Sequence, residues 1–163
     1  MILGLTPLGV VHTALSLVAV GAGIVAFVRA GVISLDAPAG KLYVVTTILT
    51  CLTGFGIFQQ GGFGPPHVLG VITLIVLAAA VGAETQRLFG RASAYVATLG
   101  YSLTFFFHMI PGFTETSTRL PAAAPLATGP EDPGLQAAIG AAFVVFLVGA
   151  GLQTLRLRRR GAR

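Results

Sequence analysis

The chain has 163 residues, of which 55% are hydrophobic and only 9% are charged. A soluble domain carries roughly 25% charged residues, so this composition excludes a water-soluble globular protein and indicates an integral membrane protein that crosses the bilayer several times. The formal net charge of +5 does not indicate binding to nucleic acid, because the basic residues are dispersed at the ends of apolar segments and no nucleic-acid-binding motif occurs.

Five apolar segments have the length of transmembrane helices, which need about 20 residues to cross a hydrocarbon core ~30 Å thick. The first begins after Thr6, a favourable N-cap, with Pro7 at the first helical position. The fourth is predicted to end or kink at Pro111, because proline removes a backbone donor and clashes with the preceding turn. The predicted spans are residues 7–29, 41–59, 66–88, 91–111 and 135–157.

The connections and the basic residues predict one transmembrane domain, residues 1–163, with an outer loop at 112–134 and a basic cytoplasmic tail at 156–163. Lys and Arg are enriched on the cytoplasmic side of membrane proteins. With the tail inside, the alternation of five spans puts nine of the ten Lys and Arg residues on that side and only Arg119 outside. The sequence therefore predicts an all-α, five-helix bundle in the bacterial inner (plasma) membrane, with the N-terminus outside and the C-terminus inside.

All three histidines fall in the outer half of the bilayer in this topology. His12 is near the outer end of span one, His67 begins span three, and His108 is close to the outer end of span four. An ionisable ring within a membrane segment is costly unless something binds it, and such residues mark functional sites. The histidines therefore predict an outer-leaflet pocket. The alternative interpretation of each is an interfacial side chain with its tip among the lipid headgroups.

Two of the spans carry a stripe of polar residues at helical spacing. Lipid cannot satisfy polar groups, so both stripes are predicted to turn toward neighbouring helices, and His108 with them. The stripes consist of Thr98, Tyr101, Ser102, Phe105 and His108 in span four, and of Tyr43, Thr46, Thr47, Thr50, Thr53 and Gly54 in span two.

The predicted pocket has the chemistry of a metal or haem site, because neutral imidazole is a common ligand for zinc, copper and haem iron. His12, His67 and His108, with Glu115 as a further ligand or proton acceptor, would make an open zinc or copper site. Alternatively, His12 and His108 across the bundle would hold one b-type haem. The residues assigned to cofactor binding are His12, His108 and Tyr101. No residue is assigned a catalytic role, since no catalytic triad or Cys/His arrangement occurs at usable spacing.

Two pairs of opposite charge have the spacing of ion pairs on one helix face. Glu84 and Arg87 are three residues apart, and Glu115 and Arg119 are four residues apart in the favourable order. Both are predicted to be ion pairs, and the alternative interpretation of Glu84, near the cytoplasmic interface, is an entry point for a proton or cation. The single cysteine, Cys51, excludes an internal disulfide and is predicted to pack as a small apolar residue.

At "VHTALSLVAVGAGIVAFVRAG" followed by "GKLYVVTTILTCLTG", the chain resembles the bacterial membrane proteins of domain-of-unknown-function family 2306. That family looks like a small helical bundle with a histidine early in its first span, matched by His12. Its Gly-basic-x-Tyr element is matched by Gly40, Lys41 and Tyr43, and "GYSLTF" resembles its Ser-Tyr-rich stretch. The family's histidine before the Gly-basic-x-Tyr element has no counterpart, since Ala37 takes about that place. The family brings no established activity to transfer.

The sequence thus favours a small membrane protein whose histidine pocket holds a metal ion or one b-type haem and either passes electrons or binds a quinone-like lipid. One alternative is a small-molecule or ion transporter, with the hydroxyl stripes of spans two and four lining the path. The other is an accessory subunit that docks on a larger complex or on a second copy of itself. Small-residue pairs such as Ala137/Ala141 suit close helix contact. Beyond the lipid bilayer, the sequence identifies no partner and leaves enzymatic activity open.

Overall fold

The computed structural model describes residues 6–58, 62–121 and 123–161. These residues form five α-helices and one short 3-10 turn before the fourth helix, and they contain no β-strand. Gln59, the predicted end of span two, and Arg163, one of the basic residues of the predicted tail, lie outside the described residues. The helices are α1 (Pro7–Ala30), α2 (Pro38–Gly54), α3 (Pro65–Gln86), α4 (Ser93–Arg119) and α5 (Pro133–Gly161).

The start and the end of α1 follow from local chemistry. The Thr6 hydroxyl accepts a hydrogen bond from the backbone N–H of Gly9 at 3.1 Å, and Pro7 takes the first helical position, as predicted. Gly31 ends the helix in the left-handed conformation, with φ 73°, and its N–H donates to the carbonyl of Phe27. Glycine adopts this conformation without the steric penalty that a Cβ brings.

The predicted end of span four at Pro111 is wrong, because α4 continues to Arg119, and the alternative, a kink at Pro111, stays a prediction. Proline removes one intrahelical hydrogen bond, but the following turns supply others. The hydroxyl of Thr114 donates to the carbonyl of Ile110 at 2.9 Å, and the hydroxyl of Thr118 donates to that of Thr114 at 2.7 Å. The connection from α4 to α5 is therefore shorter than the predicted loop at 112–134.

The other helix bounds differ from the predicted spans by a few residues, except at the ends of α2 and α5. α2 ends at Gly54, where the chain turns, instead of at residue 59. α5 runs on to Gly161, so most of the predicted tail at 156–163 continues the helix.

Each helix packs against the next along the chain, and α4 also packs against α1. The bundle therefore has two ends. We call the end with the start of α1 and the end of α2 the histidine end, and the opposite end, with the last turn of α3, the Glu84 end. The apolar core consists of small residues of α1, α3 and α4 around Tyr43 and Tyr101, which are both fully buried.

Burial in this bundle is the reverse of that in a water-soluble protein. Large aliphatic side chains are exposed, among them Val28 at 81% and Val145 at 71%. Hydroxyls and two imidazoles are buried, including Thr47 and Thr104 at 0%, His108 at 5% and His67 at 6%. Because a soluble monomer rarely exposes large contiguous apolar surface, the outer surface of this bundle suits hydrocarbon.

Four of the helices, α1, α3, α4 with its preceding turn, and α5, are long and apolar enough to cross a membrane. α2 has 17 residues, about 25 Å at 1.5 Å per residue, and its polar stripe lowers its hydropathy. The all-helical membrane bundle expected from the sequence is thus observed, with four candidate spanning helices among five.

Candidate functional site

His108 lies where α1, α2 and α4 meet, with both ring nitrogens near hydroxyls. Nε2 is 3.0 Å from the Thr47 hydroxyl, and Nδ1 is 3.4 Å from the hydroxyl of Ser16. The edge of the Tyr43 ring packs against the imidazole at a centroid distance of 6.0 Å. Hydroxyls both donate and accept, so this environment suits either neutral tautomer, and a proton leaving one nitrogen can be replaced at the other.

His12 contacts the last two turns of α2 from α1. Its Nδ1 lies 3.0 Å from the backbone carbonyl of Thr50 and 3.2 Å from the Thr53 hydroxyl. A carbonyl only accepts, so Nδ1 carries a proton, and in the neutral ring the lone pair is on Nε2. α1 and α2 approach each other closely at His12, as the space around Gly54 shows: an added Cβ would lie only 3.1 Å from Cε1 of His12.

His67 occupies a different environment, at the first turn of α3. Its Nδ1 accepts a hydrogen bond from the N–H of Gly64 at 3.2 Å, and its ring stacks between Phe58 and Phe63 at 5.1 Å from each. The neutral ring then carries its proton on Nε2, which is buried without a hydrogen-bond partner among the described residues. In this arrangement neither nitrogen of His67 offers a lone pair to a metal.

Glu115 pairs with Arg119 on the exposed face of α4, as the spacing predicted, and 55% of its side chain is accessible. Within residues 6–58, 62–121 and 123–161, no group of three or more His, Cys, Asp or Glu side chains is placed to hold a metal ion. This arrangement does not support the metal site at His12, His67, His108 and Glu115, which stays a prediction. The b-type haem site also stays a prediction without support from this arrangement.

Tyr101 belongs to a second polar cluster, at the Glu84 end. Its hydroxyl donates to Oε2 of Glu84 at 2.6 Å, while Oε1 accepts from the Ser34 hydroxyl at 2.6 Å and from the N–H of Leu35 at 3.0 Å. The predicted ion pair between Glu84 and Arg87 is wrong. Arg87 ends α3 with φ 54°, and the carboxylate turns inward to three neutral donors instead.

Tyr43 and Thr104 connect the two clusters through the centre of the bundle. Their hydroxyls are 2.8 Å apart, and the Thr104 hydroxyl donates to the carbonyl of Tyr101 at 2.9 Å. The Tyr43 hydroxyl also interacts with that of Thr47, next to His108. Polar groups therefore follow one another along most of the bundle. We call this succession the polar file: Ser34, Glu84, Tyr101, Thr104, Tyr43, Thr47, His108 and Ser16.

The structural evidence on function consists of the polar file and the other two histidines, His12 and His67, at the histidine end. Comparison with known proteins adds no evidence on function. No match was found. No protein-family model matches the chain, and the comparisons with curated proteins and with solved structures gave none either.

Sequence periodicity identified part of the file, namely Tyr43, Thr47, Tyr101 and His108. It did not identify Ser34, and it considered Glu84 only in the alternative interpretation, as an entry point for a proton or cation; the two side chains meet across 50 residues of chain. A carboxylate within the last apolar turn of a predicted span was the available signal, because such a residue is expensive there. Because Arg87 is only three residues away, the spacing favoured an ion pair between these two residues instead.

Proposed function

We propose that the chain is a five-span protein of the inner membrane, with the N-terminus outside, and that it relays protons along the polar file. This is the transporter interpretation of the sequence in a specific form. The observation that carries it is the succession of a half-buried carboxylate, buried hydroxyls and a buried imidazole from Glu84 to His108. Chains of acidic and histidine side chains are the usual proton relays of membrane proteins.

The topology has support from the positions of the basic residues. α2 packs against α1 and α3. With α2 crossing the membrane, successive helices alternate in direction, and the residues predicted to be cytoplasmic lie at the Glu84 end. Arg29 is in the last turn of α1, and Arg91 is in the turn before α4, both at that end, whereas Arg119 is in the last turn of α4. Reporter fusions to the two termini test this, and finding both termini in one compartment would refute it.

Protons suit the file better than larger ions. The carriers are single oxygen or nitrogen atoms, in hydrogen-bond contact at every step but one, and they are packed among fully buried side chains such as Tyr43 and Thr104. A metal cation needs several ligands at once, and the described residues supply no such group. The step between the hydroxyls of Tyr101 and Tyr43 has no direct bond, and in this proposal a water molecule or rotation of Tyr43 completes it.

The test uses the purified protein in liposomes that contain a pH-sensitive dye, with proton entry driven by a valinomycin-clamped potassium gradient. Thr47→Val removes the hydroxyl next to His108. We expect it to lower protein-dependent flux at least about fivefold, the effect of one lost hydrogen bond on an equilibrium. Thr46→Val is the matched control, because the Thr46 hydroxyl bonds only to carbonyls of its own helix. Equal flux in both variants, or wild-type flux no greater than in empty liposomes, would refute the relay.

A second variant addresses the carboxylate. Glu84→Gln keeps the size and an acceptor oxygen for Ser34 and Leu35 but removes the titrating group. We expect flux to fall with little change in thermal unfolding. Unchanged flux would show that Glu84 only holds the helices together.

The metal or haem function remains the second candidate, and one observation favours it. Metal-ligating histidines usually donate their other N–H to a carbonyl or carboxylate, and His12 donates from Nδ1 to the carbonyl of Thr50. Absorption spectroscopy and elemental analysis of the purified protein test this directly. A Soret band, or bound zinc or copper that His12→Ala abolishes, would favour this candidate, and a colourless, metal-free protein would exclude it. Membership of family 2306 also stays a proposal.

A further inference from the structure

A lateral groove of about 720 Å³ lies outside the polar file, between α1 and α5 and over α4. α1 and α5 do not pack against each other within the described residues, so α4 forms the floor. Phe105 and Met109 line the floor, Ala141 and Gly149 line the α5 wall, and Phe27 lines the α1 side. The volume is that of a ligand site, which is typically about 300–1,000 Å³.

Polar residues occur at only one end of the groove. The Ser102 hydroxyl donates to Gln153 Oε1 at 2.9 Å, and Gln153 Nε2 donates to the carbonyl of Gly31 at 3.0 Å, so these groups satisfy one another. Arg156 lines the same end and makes no hydrogen bond or ion pair with the described residues. The one unpartnered donor group of the groove is thus a guanidinium, which binds phosphate oxygens in a bidentate manner.

The length of the groove suits a lipid chain. Its α5 wall extends from Ala138 to Gln153, about 22 Å at 1.5 Å per residue. One leaflet contributes half of a hydrocarbon core ~30 Å thick. An acyl chain whose headgroup is at Arg156 would therefore lie along the groove within its own leaflet.

We propose that the groove binds one anionic phospholipid, with its phosphate at Arg156 and an acyl chain along α4 and α5. Charge complementarity decides the occupant, because a quinone ring carries no charge for the exposed guanidinium of Arg156, and in a zwitterionic headgroup the choline cancels the charge of the phosphate. The inference is independent of the proton relay, since none of the file's residues lines the groove.

Native mass spectrometry of the full-length protein tests the proposal, with phosphatidylglycerol and phosphatidylcholine offered in equal amounts. We expect one retained phosphatidylglycerol and a preference of about tenfold, which corresponds to one charge-assisted interaction. Arg156→Gln should abolish the preference. Arg158 is exposed and lies outside the groove, so Arg158→Gln should keep the preference for phosphatidylglycerol. Equal retention of the two lipids by the wild-type protein would overturn the proposal, and this comparison needs no variant that has to fold.

A matched pair of glycines tests the location. Gly149 lines the groove, Gly151 does not, and an added Cβ at either position meets nothing within 4 Å. Gly149→Leu should displace the lipid, and Gly151→Leu should not. Equal lipid retention by these two variants would refute the groove as the site. A dimer that Gly149→Leu dissociates would identify a second copy of the chain as the occupant, and retention of added ubiquinone in place of phosphatidylglycerol would identify a quinone. Either result would overturn the lipid assignment.

Discussion

The hydroxyl of Tyr101 lies 2.6 Å from Oε2 of Glu84, and this hydrogen bond joins the inner part of α4 to the last turn of α3. The same carboxylate also holds the connection between α1 and α2 through Ser34 and Leu35. One side chain thus ties four helices together at one end of the bundle. Its partners are neutral, so their contribution depends on geometry more than on charge.

Removing this carboxylate should destabilise the bundle more than removing any one partner. Interhelical hydrogen bonds in membrane proteins contribute about 0.6 kcal/mol on average. We expect Tyr101→Phe to lower the free energy of unfolding by roughly 1 kcal/mol and Glu84→Ala by roughly 2 kcal/mol, because three donors lose their acceptor. Unfolding in mixed detergent micelles measures this. Arg87→Ala is the control, and a loss equal to that of Glu84→Ala would contradict the observed pairing.

The close contact between α1 and α4 makes a second prediction, on two glycines of one helix. A Cβ on Gly23 would lie 2.5 Å from a ring carbon of Phe105, whereas a Cβ on Gly21 meets nothing within 4 Å. We expect Gly23→Ala to destabilise the protein by about 1–3 kcal/mol through overpacking. Gly21→Ala should be neutral or stabilise it by up to about 1 kcal/mol through helix propensity. Thermal unfolding of both variants measures the difference, and equal midpoints would count against the α1–α4 contact.

The hydrogen bond from Gly64 to His67 predicts the protonation of that ring. We expect nitrogen NMR of labelled protein to show Nδ1 as an unprotonated acceptor and Nε2 as protonated. Neither nitrogen then offers a lone pair, so one equivalent of Zn²⁺ should leave both signals unchanged. Signals that shift with Zn²⁺ would return His67 to the predicted metal site.

Asp132 caps the start of α5, outside the membrane segments. Its carboxylate accepts hydrogen bonds from the N–H groups of Thr128 and Gly134, and these lower the pKa of Asp132 below its ordinary value of 3.8. A lowered folded-state pKa stabilises the fold above the unfolded-state pKa, and this stabilisation is lost as the pH falls through the folded-state value.

We therefore expect the amide of Gly134 to lose protection against hydrogen exchange only as the pH falls through the lowered pKa of Asp132, below 3.8. In Asp132→Ala this amide should be unprotected at neutral pH as well. The neighbouring variant Glu131→Ala should behave as the wild type does, because Glu131 makes no contact with these amides. Protection that is independent of pH in the wild-type protein would contradict the cap.

Helical periodicity predicted the parts of the fold and of the site that lie on single helices. The stripe of α2 is buried at Tyr43, Thr46, Thr47 and Thr50, and that of α4 is buried at Tyr101, Ser102 and His108. This worked because one membrane helix has only one side that avoids lipid. The confirmed ion pair of Glu115 and Arg119 likewise depends only on residues one turn apart.

What the sequence did not predict depends on contacts between distant segments. Glu84 was assigned to its neighbour Arg87, because nothing local indicates that Ser34 and Leu35 lie closer to it. The three histidines, His12, His67 and His108, were expected at the same depth in the membrane. The depth of a residue along its helix does not determine which helices face each other. The continuation of α4 past Pro111 was not predicted, because proline usually ends a helix, whereas Pro111 lies inside α4 here.

The threonines of α2 differ in where their hydroxyls find acceptors, and this bears on biogenesis. Thr46, Thr50 and Thr53 each donate to the carbonyl four residues earlier, so α2 satisfies these three hydroxyls as soon as it is helical, without any neighbouring helix. The Thr47 hydroxyl has no carbonyl acceptor on α2 among the described residues, and its imidazole partner, His108, is synthesised 61 positions later. The polar contacts of α2 therefore form in two stages during synthesis: those within the helix need only α2, and the contact of Thr47 with His108 needs α4.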